Sequence, residues 1–432
     1  MAFILFGAFI IFLFLNIPIA ISLSLSSIIC MVEDGLPMQM LATLTYSNLT
    51  KFLLLAIPFF VLAGNIMEKA GISEKLINLC DKMVGHRRSG LAFVTIITSC
   101  FFAAISGSGP ATVAALGGIL IPAMERAGYG RAMPSALLAT SGSIGIIIPP
   151  SIPYVVYGAI AGVSIGTTFI AGIIPGLMMG IFLAIASMRV NSKMDIKMKP
   201  KASGAERFRA FLVAIPGLLM PIIILGGIYG GFFTPTEAAA VAAVYGLFVG
   251  VFIYRAIKIR ELGRIFIDSA IMSATIMLIV AGAAMFAWFC ETSGITETIS
   301  DLLFEFSPNK WVFLILINIV LLIAGCFIEA TSALYIFVPI MLPVALKFGY
   351  DPIALCILMT MNLAIGLVTP PVGVNLFVAC GVAKISLKQI SAKVVPFIIA
   401  ALICLLIITY LPQITLLLPE VMGYQPITTP QL

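Results

Sequence analysis

Two prolines stand side by side at two places inside long apolar stretches of this 432-residue chain. Pro149 and Pro150 interrupt "SGSIGIIIPPSIP", and Pro370 and Pro371 interrupt "MNLAIGLVTPPVG". Proline donates no backbone hydrogen bond and drives the preceding residue out of helical geometry, so nearby carbonyl oxygens should lose their helical partners. Several partial negative charges at one point, with no lysine to neutralise them, favour a small monovalent cation. Each interrupted helix is therefore a predicted cation site.

The prolines also predict which oxygens are released. In a helix each amide donates to the carbonyl four residues earlier, so four carbonyls should lose a partner: Gly145, Ile146, Gly366 and Leu367. Ile148 and Thr369 directly precede the prolines and should leave helical geometry, which exposes further oxygens. A single double proline could be only a kink. Two equivalent breaks, each accompanied by a polar hairpin, favour ion binding.

The polar hairpins are predicted where two apolar pairs, 90–127 and 311–347, are interrupted by "SGSGPAT" (106–112) and "CFIEATSA" (326–333). No arginine lies deep in an apolar run, so an anionic substrate would rely on helix N-termini, here near Pro110, Ser151, Ala330 and Val372. We favour a carboxylate-sized ligand, with a neutral polar solute as the alternative. The substrate-binding candidates are Pro110, Ser141, Ser143, Glu329, Thr331, Ser332, Asn362 and Asn375.

Sodium is the predicted ion. Proton coupling generally needs an intramembrane carboxylate or histidine relay, whereas the only histidine, His86, sits in a basic loop. Glu237 follows Thr234 by three residues, with Pro235 between them, and this spacing is typical of a helix-capping box. The eight cysteines form no CxxC pair, so no transition-metal site is expected.

The composition defines the elements that hold these residues. The chain is 61% hydrophobic and 10% charged, with a mean hydropathy of +1.18, which indicates a polytopic all-α protein in a lipid bilayer. Its net charge of +6 arises from loops between apolar runs and gives no reason to expect a nucleic-acid partner. The N-terminus lacks the basic region and cleavage site of a signal peptide, so it is predicted to be a first spanning helix.

Loop charges predict the topology. With both polar hairpins re-entrant, the basic segments (72–90, 189–209, 255–264 and 384–393) all fall on the cytoplasmic side, and the acidic segments 33–47 and 291–310 fall outside. The N-terminus is then cytoplasmic and the C-terminus periplasmic. The nine predicted crossings are 2–32, 48–70, 131–163, 167–189, 209–230, 235–255, 267–290, 351–383 and 394–418.

An internal repeat relates the two breaks. A shift of 221 residues, which carries Pro149 to Pro370, also aligns Gly145 with Gly366. A shift of 223 aligns "EKAGISEKLINLC" with "ETSGITETISDLL", which predicts amphipathic helices on the membrane surface at 72–84 and 295–306. Five crossings separate the hairpins, so the repeats should be inverted, as in secondary transporters. The predicted units are 1–190, a basic cytoplasmic linker 191–208, and 209–432.

Four motifs resemble the large membrane subunit of the tripartite ATP-independent periplasmic (TRAP) transporters: "ISGSGPATVAALGGILIPAM" (105–124), "GSIGIIIPPSIP" (142–153), "GGFFTPTEAAAVAAVYG" (230–246) and "VTPPVGVNLFVACG" (368–381). The resemblance implies a Na⁺-driven importer of organic acids in the bacterial inner membrane. It would work as an elevator, in which hairpins and interrupted helices carry the substrate past a static scaffold. The family's substrates include sialic acids and C4-dicarboxylates, and we favour sialic acid.

The resemblance also implies partners and ion ligands. A separate small four-helix membrane subunit and a soluble periplasmic binding protein would complete the transporter. The family's ion sites carry over to Ser106, Ser108, Gly145, Ile148 and Ser151 for one Na⁺, and to Gly325, Gly366, Thr369 and Val372 for the other.

Three other functions compete with this interpretation. A stand-alone sodium-coupled carboxylate or ion transporter of similar architecture would need no binding protein, and uptake with and without that protein separates the two. A channel would not need paired mobile hairpins. A membrane enzyme would need a constellation of catalytic side chains that the chain lacks.

Overall fold

A computed structural model describes residues 1–192 and 194–427, and every regular element within them is helical. The α-helices of the first half are α1 (Ala2–Phe14), α2 (Ile19–Glu33), α3 (Gln39–Leu49), α4 (Ala56–Lys69), α5 (Ile72–Val84), α6 (Gly90–Ser106), α7 (Gly109–Met124), α8 (Ala132–Ser143), α9 (Ile152–Ala161) and α10 (Ile165–Asn191). Those of the second half are α11 (Gly204–Tyr229), α12 (Pro235–Phe248), α13 (Ile259–Thr292), α14 (Ile295–Glu305), α15 (Lys310–Phe327), α16 (Ala330–Lys347), α17 (Pro352–Gly366), α18 (Val374–Ala383), α19 (Leu387–Tyr410) and α20 (Pro412–Val421).

The predicted repeat is visible in the order of the helices. From α5 to α10 and from α14 to α19 the chain forms the same series: an amphipathic helix, two hairpin arms, the two parts of an interrupted helix, and a long apolar helix. Gly71 and Gly294 open the two series with φ of 71° and 70°, a left-handed conformation that glycine adopts without steric cost. The opposite orientation of the two series in a membrane stays a prediction.

Both hairpins and both interrupted helices are confirmed as helical elements. Helices α6 and α7 form the first hairpin, which we call hairpin 1, and α15 and α16 form hairpin 2. The first break separates α8 from α9, after a short 3-10 turn at Ile144–Ile146, and the second separates α17 from α18. Both Pro–Pro peptide bonds are cis. We refer to residues 144–151, which include that turn, and residues 366–373 as the breaks.

Two predicted crossings are wrong as single helices. The segment 2–32 forms α1 and α2, which pack against each other across a turn where Asn16 has a φ of 65° and Pro18 begins the next helix. The segment 394–418 is divided at Leu411, whose φ and ψ of −122° and 65° are not helical, and Pro412 starts α20. In both cases a proline expels the preceding chain from helical geometry, the same effect that predicted the two breaks.

Eight helical segments of the described residues are long and apolar enough to cross a membrane. They include both arms of hairpin 2, whereas the arms of hairpin 1 are shorter. Length and composition alone therefore do not decide whether an arm crosses or returns, and re-entry of the hairpins stays a prediction. The chain is a polytopic all-α membrane protein.

The predicted connections differ in detail. Most of a helix that was not predicted, α3, lies in the acidic segment 33–47. The basic linker is non-helical only as far as Ser203, which caps α11 through a capping box with Glu206, so α11 begins before residue 209. The linker lies on the first half of the chain, because the Lys197 amide donates to the Ala127 carbonyl (3.0 Å) and Lys199 pairs with Asp81 (2.9 Å). Lys193 lies outside the described residues.

The interrupted helices occupy the centre of the protein. All of α17 is buried, and so is α8 apart from its first residue, as expected for helices that carry no charged residue and have no polar face. The hairpins, α10 and α19 pack around them. A second group, in which α4 packs on α12 and α13, and α13 packs on α2, approaches the centre where α4 meets α6 and α13 meets α16. The hairpin of each repeat thus packs against the interrupted helix of the same repeat.

Candidate functional site

Two hydroxyl groups stabilise the first break. Ser151 Oγ donates to the Ile146 carbonyl at 2.6 Å, and Tyr154 Oη donates to the Ile147 carbonyl at 2.7 Å. All four residues are buried. The prediction that the Ile146 oxygen is free is therefore wrong, because a side chain beyond the prolines replaces the missing amide. Ser151 acts here as a donor to the backbone.

Other carbonyl oxygens at this break have no donor among the described residues. The Gly145 and Ile148 carbonyls accept no hydrogen bond among the described residues, since the following prolines have no amide and the Ile148 amide donates to the Ile144 carbonyl. Both residues are buried. Buried carbonyls without partners are costly in a membrane protein unless something else binds them. Gly145 and Ile148 are thus the strongest oxygen donors of the first predicted ion site.

The tip of hairpin 1 lies directly on this break. A β-carbon on Gly145 would come within 2.7 Å of the Ser108 carbonyl oxygen. Gly107 has a φ of +60°, and a β-carbon there would lie 2.9 Å from the Pro150 oxygen. Only glycine allows backbones to approach so closely at these two positions. The tip and the break therefore form one continuous surface.

A threonine that the sequence analysis missed supports the tip. Thr112 Oγ1 donates to the Ser108 carbonyl at 2.8 Å and lies 3.0 Å from Ser106 Oγ. Ser108 also caps α7, with its Oγ 3.5 Å from the Ala111 amide. The motif "SGSGPAT" contains Thr112, one turn after Ser108, and this spacing could have identified it.

The second break uses different donors. The Thr369 amide donates to the Gly366 carbonyl and the Asn375 amide donates to the Leu367 carbonyl, each at 3.0 Å. The predictions that these two carbonyls are free are wrong, because the Thr369 amide, just before the prolines, and the Asn375 amide, beyond them, replace the missing donors. The Thr369 carbonyl accepts no hydrogen bond in the described part of the chain and is one of the free oxygens here.

Hairpin 2 contacts this break through backbone. A β-carbon on Gly366 would lie 2.4 Å from the Gly325 carbonyl carbon, and the Gly373 amide donates to the Cys326 carbonyl at 3.4 Å. The two sites also differ in exposure. Residues 144–151 are all buried, whereas Pro370 and Pro371 are exposed and Val372 is half-buried. The second site is the more open of the two.

Several substrate-binding candidates are engaged within their own elements. Ser141 and Ser143 donate to carbonyls of their own helix at 2.6 and 2.8 Å. Glu329 caps α16, accepting from the Thr331 amide at 3.0 Å and from its hydroxyl at 3.1 Å. Ser332 is buried, and its Oγ has no partner among the described residues. Of these side chains, Ser332 has the greatest unused hydrogen-bonding capacity.

Asn362 belongs to a polar contact between helices. Its Nδ2 donates to Asn318 Oδ1 at 2.7 Å, and Asn318 Nδ2 in turn donates to Thr409 Oγ1 at 3.1 Å. These residues lie on α17, α15 and α19. These hydrogen bonds link hairpin 2 to the second interrupted helix and to α19.

Asn375 lies where the two repeats meet. Its Nδ2 donates to the Ala139 carbonyl of α8 at 3.0 Å, and its Oδ1 is buried without a partner in the described residues. A β-carbon on Gly109, beside Pro110, would lie 3.1 Å from Asn375 Nδ2 and 3.1 Å from the Leu367 side chain. Hairpin 1 and both interrupted helices thus converge on one buried amide. This is the most suitable substrate-binding position among the candidates.

The sequence analysis also missed Asn65 and Glu68 on α4. Together with Ser106 and Ser108 they line a small cavity beside the tip of hairpin 1. Two polar residues within the apolar run of 52–69 were a visible signal. The contact with the hairpin could not be read from the sequence.

The fold and the site together define a polytopic α-helical membrane protein in which two interrupted helices face the ends of two helical hairpins. Comparison with known families gives the assignment. The family described as "Tripartite ATP-independent periplasmic transporter, DctM component" matches residues 6–414, and the chain belongs to this family of TRAP large permeases. The predicted resemblance is thereby confirmed.

Characterised relatives differ in substrate. The chain is 44% identical, over 95% of its length, to the isethionate TRAP transporter permease protein DctMQ of Oleidesulfovibrio alaskensis, and spans 65% of that protein. It is 37% identical to the C4-dicarboxylate TRAP large permease DctM of Rhodobacter capsulatus, covering 98% of this chain and 99% of that one. It is also 37% identical to the sialic acid TRAP large permease SiaM of Vibrio cholerae, covering 95% and 97%.

A solved structure shares the fold. The YdaH transporter of Alcanivorax borkumensis superimposes with a TM-score of 0.63 over 90% of each chain, at 16% identity. At that identity the likeness concerns the architecture alone.

Proposed function

We propose that this chain is the permease of a sodium-coupled TRAP importer of an organic acid. One observation carries the sodium coupling: among the residues that the structure describes, the carbonyl oxygens of Gly145, Ile148 and Thr369 have no hydrogen-bond donor, and they lie where the interrupted helices meet the hairpins. Neutral oxygens without a nearby lysine suit a monovalent cation. The first proposed site is completed by Ser106, Ser108 and Ser151. The second also includes Val372 and the backbone of Gly325 and Gly366, which are in contact.

The proposed substrate is a small organic anion. The three relatives named above carry isethionate, C4-dicarboxylates or sialic acid according to their names, and all of these are acids. The starts of α7, α9, α16 and α18 supply helix N-termini, which favour anionic groups. The buried amide of Asn375 would orient the rest of the molecule. Sialic acid stays our preferred expectation, and the assay below includes all three classes.

The proposed assembly contains a small four-helix membrane subunit and a periplasmic binding protein, and the words "tripartite" and "periplasmic" in the family's description support two further components. The permease would lie in the bacterial inner membrane with its N-terminus in the cytoplasm. The hairpins, interrupted helices, α10 and α19 would move together past the group that contains α4 and α13.

Reconstituted uptake tests the proposal. Proteoliposomes containing the permease and its small subunit would receive radiolabelled N-acetylneuraminate, succinate or isethionate, with or without the binding protein and with Na⁺ or K⁺ outside. We expect uptake of one acid class that requires both the binding protein and an inward Na⁺ gradient.

The reactions without Na⁺ and without the binding protein test separate parts of the proposal. Equal uptake in Na⁺ and K⁺ would refute sodium coupling. Uptake that persists without the binding protein would support the stand-alone transporter instead.

A further inference from the structure

A small cavity separates α4 from the tip of hairpin 1. Its polar lining comes from Asn65 and Glu68 of α4 and from Ser106 and Ser108 of the hairpin, while apolar side chains close the remaining sides. The cavity volume is about 10 Å³, which is the space of one water molecule or one small cation. An organic acid does not fit there. A bound ion would contact both the hairpin and a helix outside the hairpins and breaks.

Glu68 is uncompensated in this position. The side chain is half-buried and makes no ion pair or hydrogen bond among the described residues. It lies in the last turn of α4, where the negative end of the helix dipole disfavours an anion. The adjacent Lys69 is exposed, and neighbouring residues on a helix do not face each other. A cation in the cavity would offset both the cost of burying the carboxylate and its unfavourable interaction with the helix dipole.

Asn65 can supply a second oxygen. Ser269 Oγ donates to the Ile265 carbonyl at 2.7 Å, so its hydrogen is engaged and it accepts from Asn65 Nδ2 at 2.8 Å. That bond fixes the amide orientation and leaves Asn65 Oδ1 as an acceptor that receives no hydrogen bond in the described residues. The cavity thus combines one carboxylate with neutral oxygens. A single carboxylate balances one positive charge, which favours an alkali cation over a divalent one.

The backbone holds α4 against the hairpin. A β-carbon on Gly64 would lie 3.4 Å from Ser106 Cα, which is ordinary contact. Glu68 is one helical turn beyond Gly64 and therefore lies on the same face of α4. The cavity is a feature of the junction between α4 and hairpin 1.

We propose that Glu68 and Asn65, with the hydroxyls of Ser106 and Ser108, bind one Na⁺ at this junction, at a position separate from the free carbonyls of the breaks. The first proposed site also includes these two serines, so the two sites are adjacent. The proposal rests on the proposed sodium coupling and adds a fixed carboxylate to it. An ion held here would bridge the moving and static groups and would be displaced when they separate. The site therefore supplies Na⁺ to the hairpin in this conformation.

The test compares Glu68→Gln with Glu74→Gln in the reconstituted transporter. Glu74 is exposed on α5, outside the cavity, so its substitution removes the same charge and controls for long-range electrostatics. The measurements are ²²Na⁺ binding to the purified subunit complex and the Na⁺ concentration that half-saturates uptake. For Glu68→Gln we expect that concentration to rise about tenfold, which corresponds to about 1.4 kcal/mol. For Glu74→Gln we expect a change of less than about twofold.

The outcomes separate the two proposals. Uptake that ignores Na⁺ in the unaltered transporter refutes sodium coupling itself. Sodium-driven uptake with the same half-saturating Na⁺ in both variants overturns the Glu68 site and leaves the coupling intact. If Glu68→Gln does not fold, Asn65→Leu removes the neutral oxygen, and ²²Na⁺ binding equal to that of the unaltered protein overturns the site.

Discussion

Replacing Gly366 with alanine should push hairpin 2 away from the second interrupted helix. The added β-carbon would lie 2.4 Å from the carbonyl carbon of Gly325 and 2.5 Å from its Cα. Real β-carbon contacts shorter than 3.4 Å are uncommon, so relief requires a movement of about 1 Å. Both partners are backbone atoms of buried residues, and no side chain can rotate aside.

The energetic cost has two opposing parts. Overpacking a buried contact costs about 1–3 kcal/mol. Alanine recovers up to about 1 kcal/mol of helix propensity relative to glycine, and less at a helix end. We therefore expect a net destabilisation of about 1–2 kcal/mol. A shift of about 1 Å also exceeds the roughly 0.5 Å within which a binding site must be held, so Na⁺ affinity should fall as well.

Thermal unfolding of the purified subunit complex, with and without saturating Na⁺, measures both effects. Ligand that binds only the folded state raises the melting temperature, and weaker binding reduces that rise. Alanine substitutions at two other glycines provide the comparison for the size of the effect. A β-carbon on Gly325 would lie 3.2 Å from Gly366 Cα, and one on Gly381 would meet nothing within 4 Å.

The expected order of destabilisation is Gly366→Ala, then Gly325→Ala, with Gly381→Ala unchanged or slightly stabilised. Equal melting temperatures and equal Na⁺ responses for all three variants would refute the backbone contact. Loss of stability with an unchanged Na⁺ response would instead show that the contact is structural and separate from the ion site.

Three further substitutions test individual hydrogen bonds. Ser151→Ala leaves the buried Ile146 carbonyl without a donor, so the melting temperature should fall by the equivalent of about 1–3 kcal/mol. Asn318→Leu removes the hydrogen bond that Asn318 accepts from Asn362. We expect a similar loss of stability and no change in the Na⁺ concentration that half-saturates uptake. Thr234→Ala removes the cap of α12, which should cost about 1 kcal/mol with no change in transport rate in proteoliposomes.

Opposite results would be informative for each bond. An unaltered melting temperature for Ser151→Ala would mean that water or another donor reaches Ile146. A changed Na⁺ dependence for Asn318→Leu would place the amide chain in the ion-binding machinery. Impaired transport by correctly folded Thr234→Ala protein would assign the start of α12 a functional part.

The sequence determined the features that depend on local backbone chemistry. Proline lacks an amide hydrogen wherever it occurs, so the breaks at Pro149 and Pro370 were predictable, as was the capping box of Thr234 with Glu237. The same rule applied to Pro18 and Pro412 would have divided the two crossings that were predicted as single helices.

Only the tertiary structure decided which oxygens stay free and what surrounds them. Of the four carbonyls predicted to lose their partners, only that of Gly145 lacks a donor in the described part of the chain, because the Ser151 hydroxyl and the Thr369 and Asn375 amides donate to the other three. The cavity of Glu68 forms where α4 meets a hairpin that follows some way along the chain. Whether a donor or carboxylate reaches a site depends on how distant segments pack, and spacing along the sequence does not encode that distance.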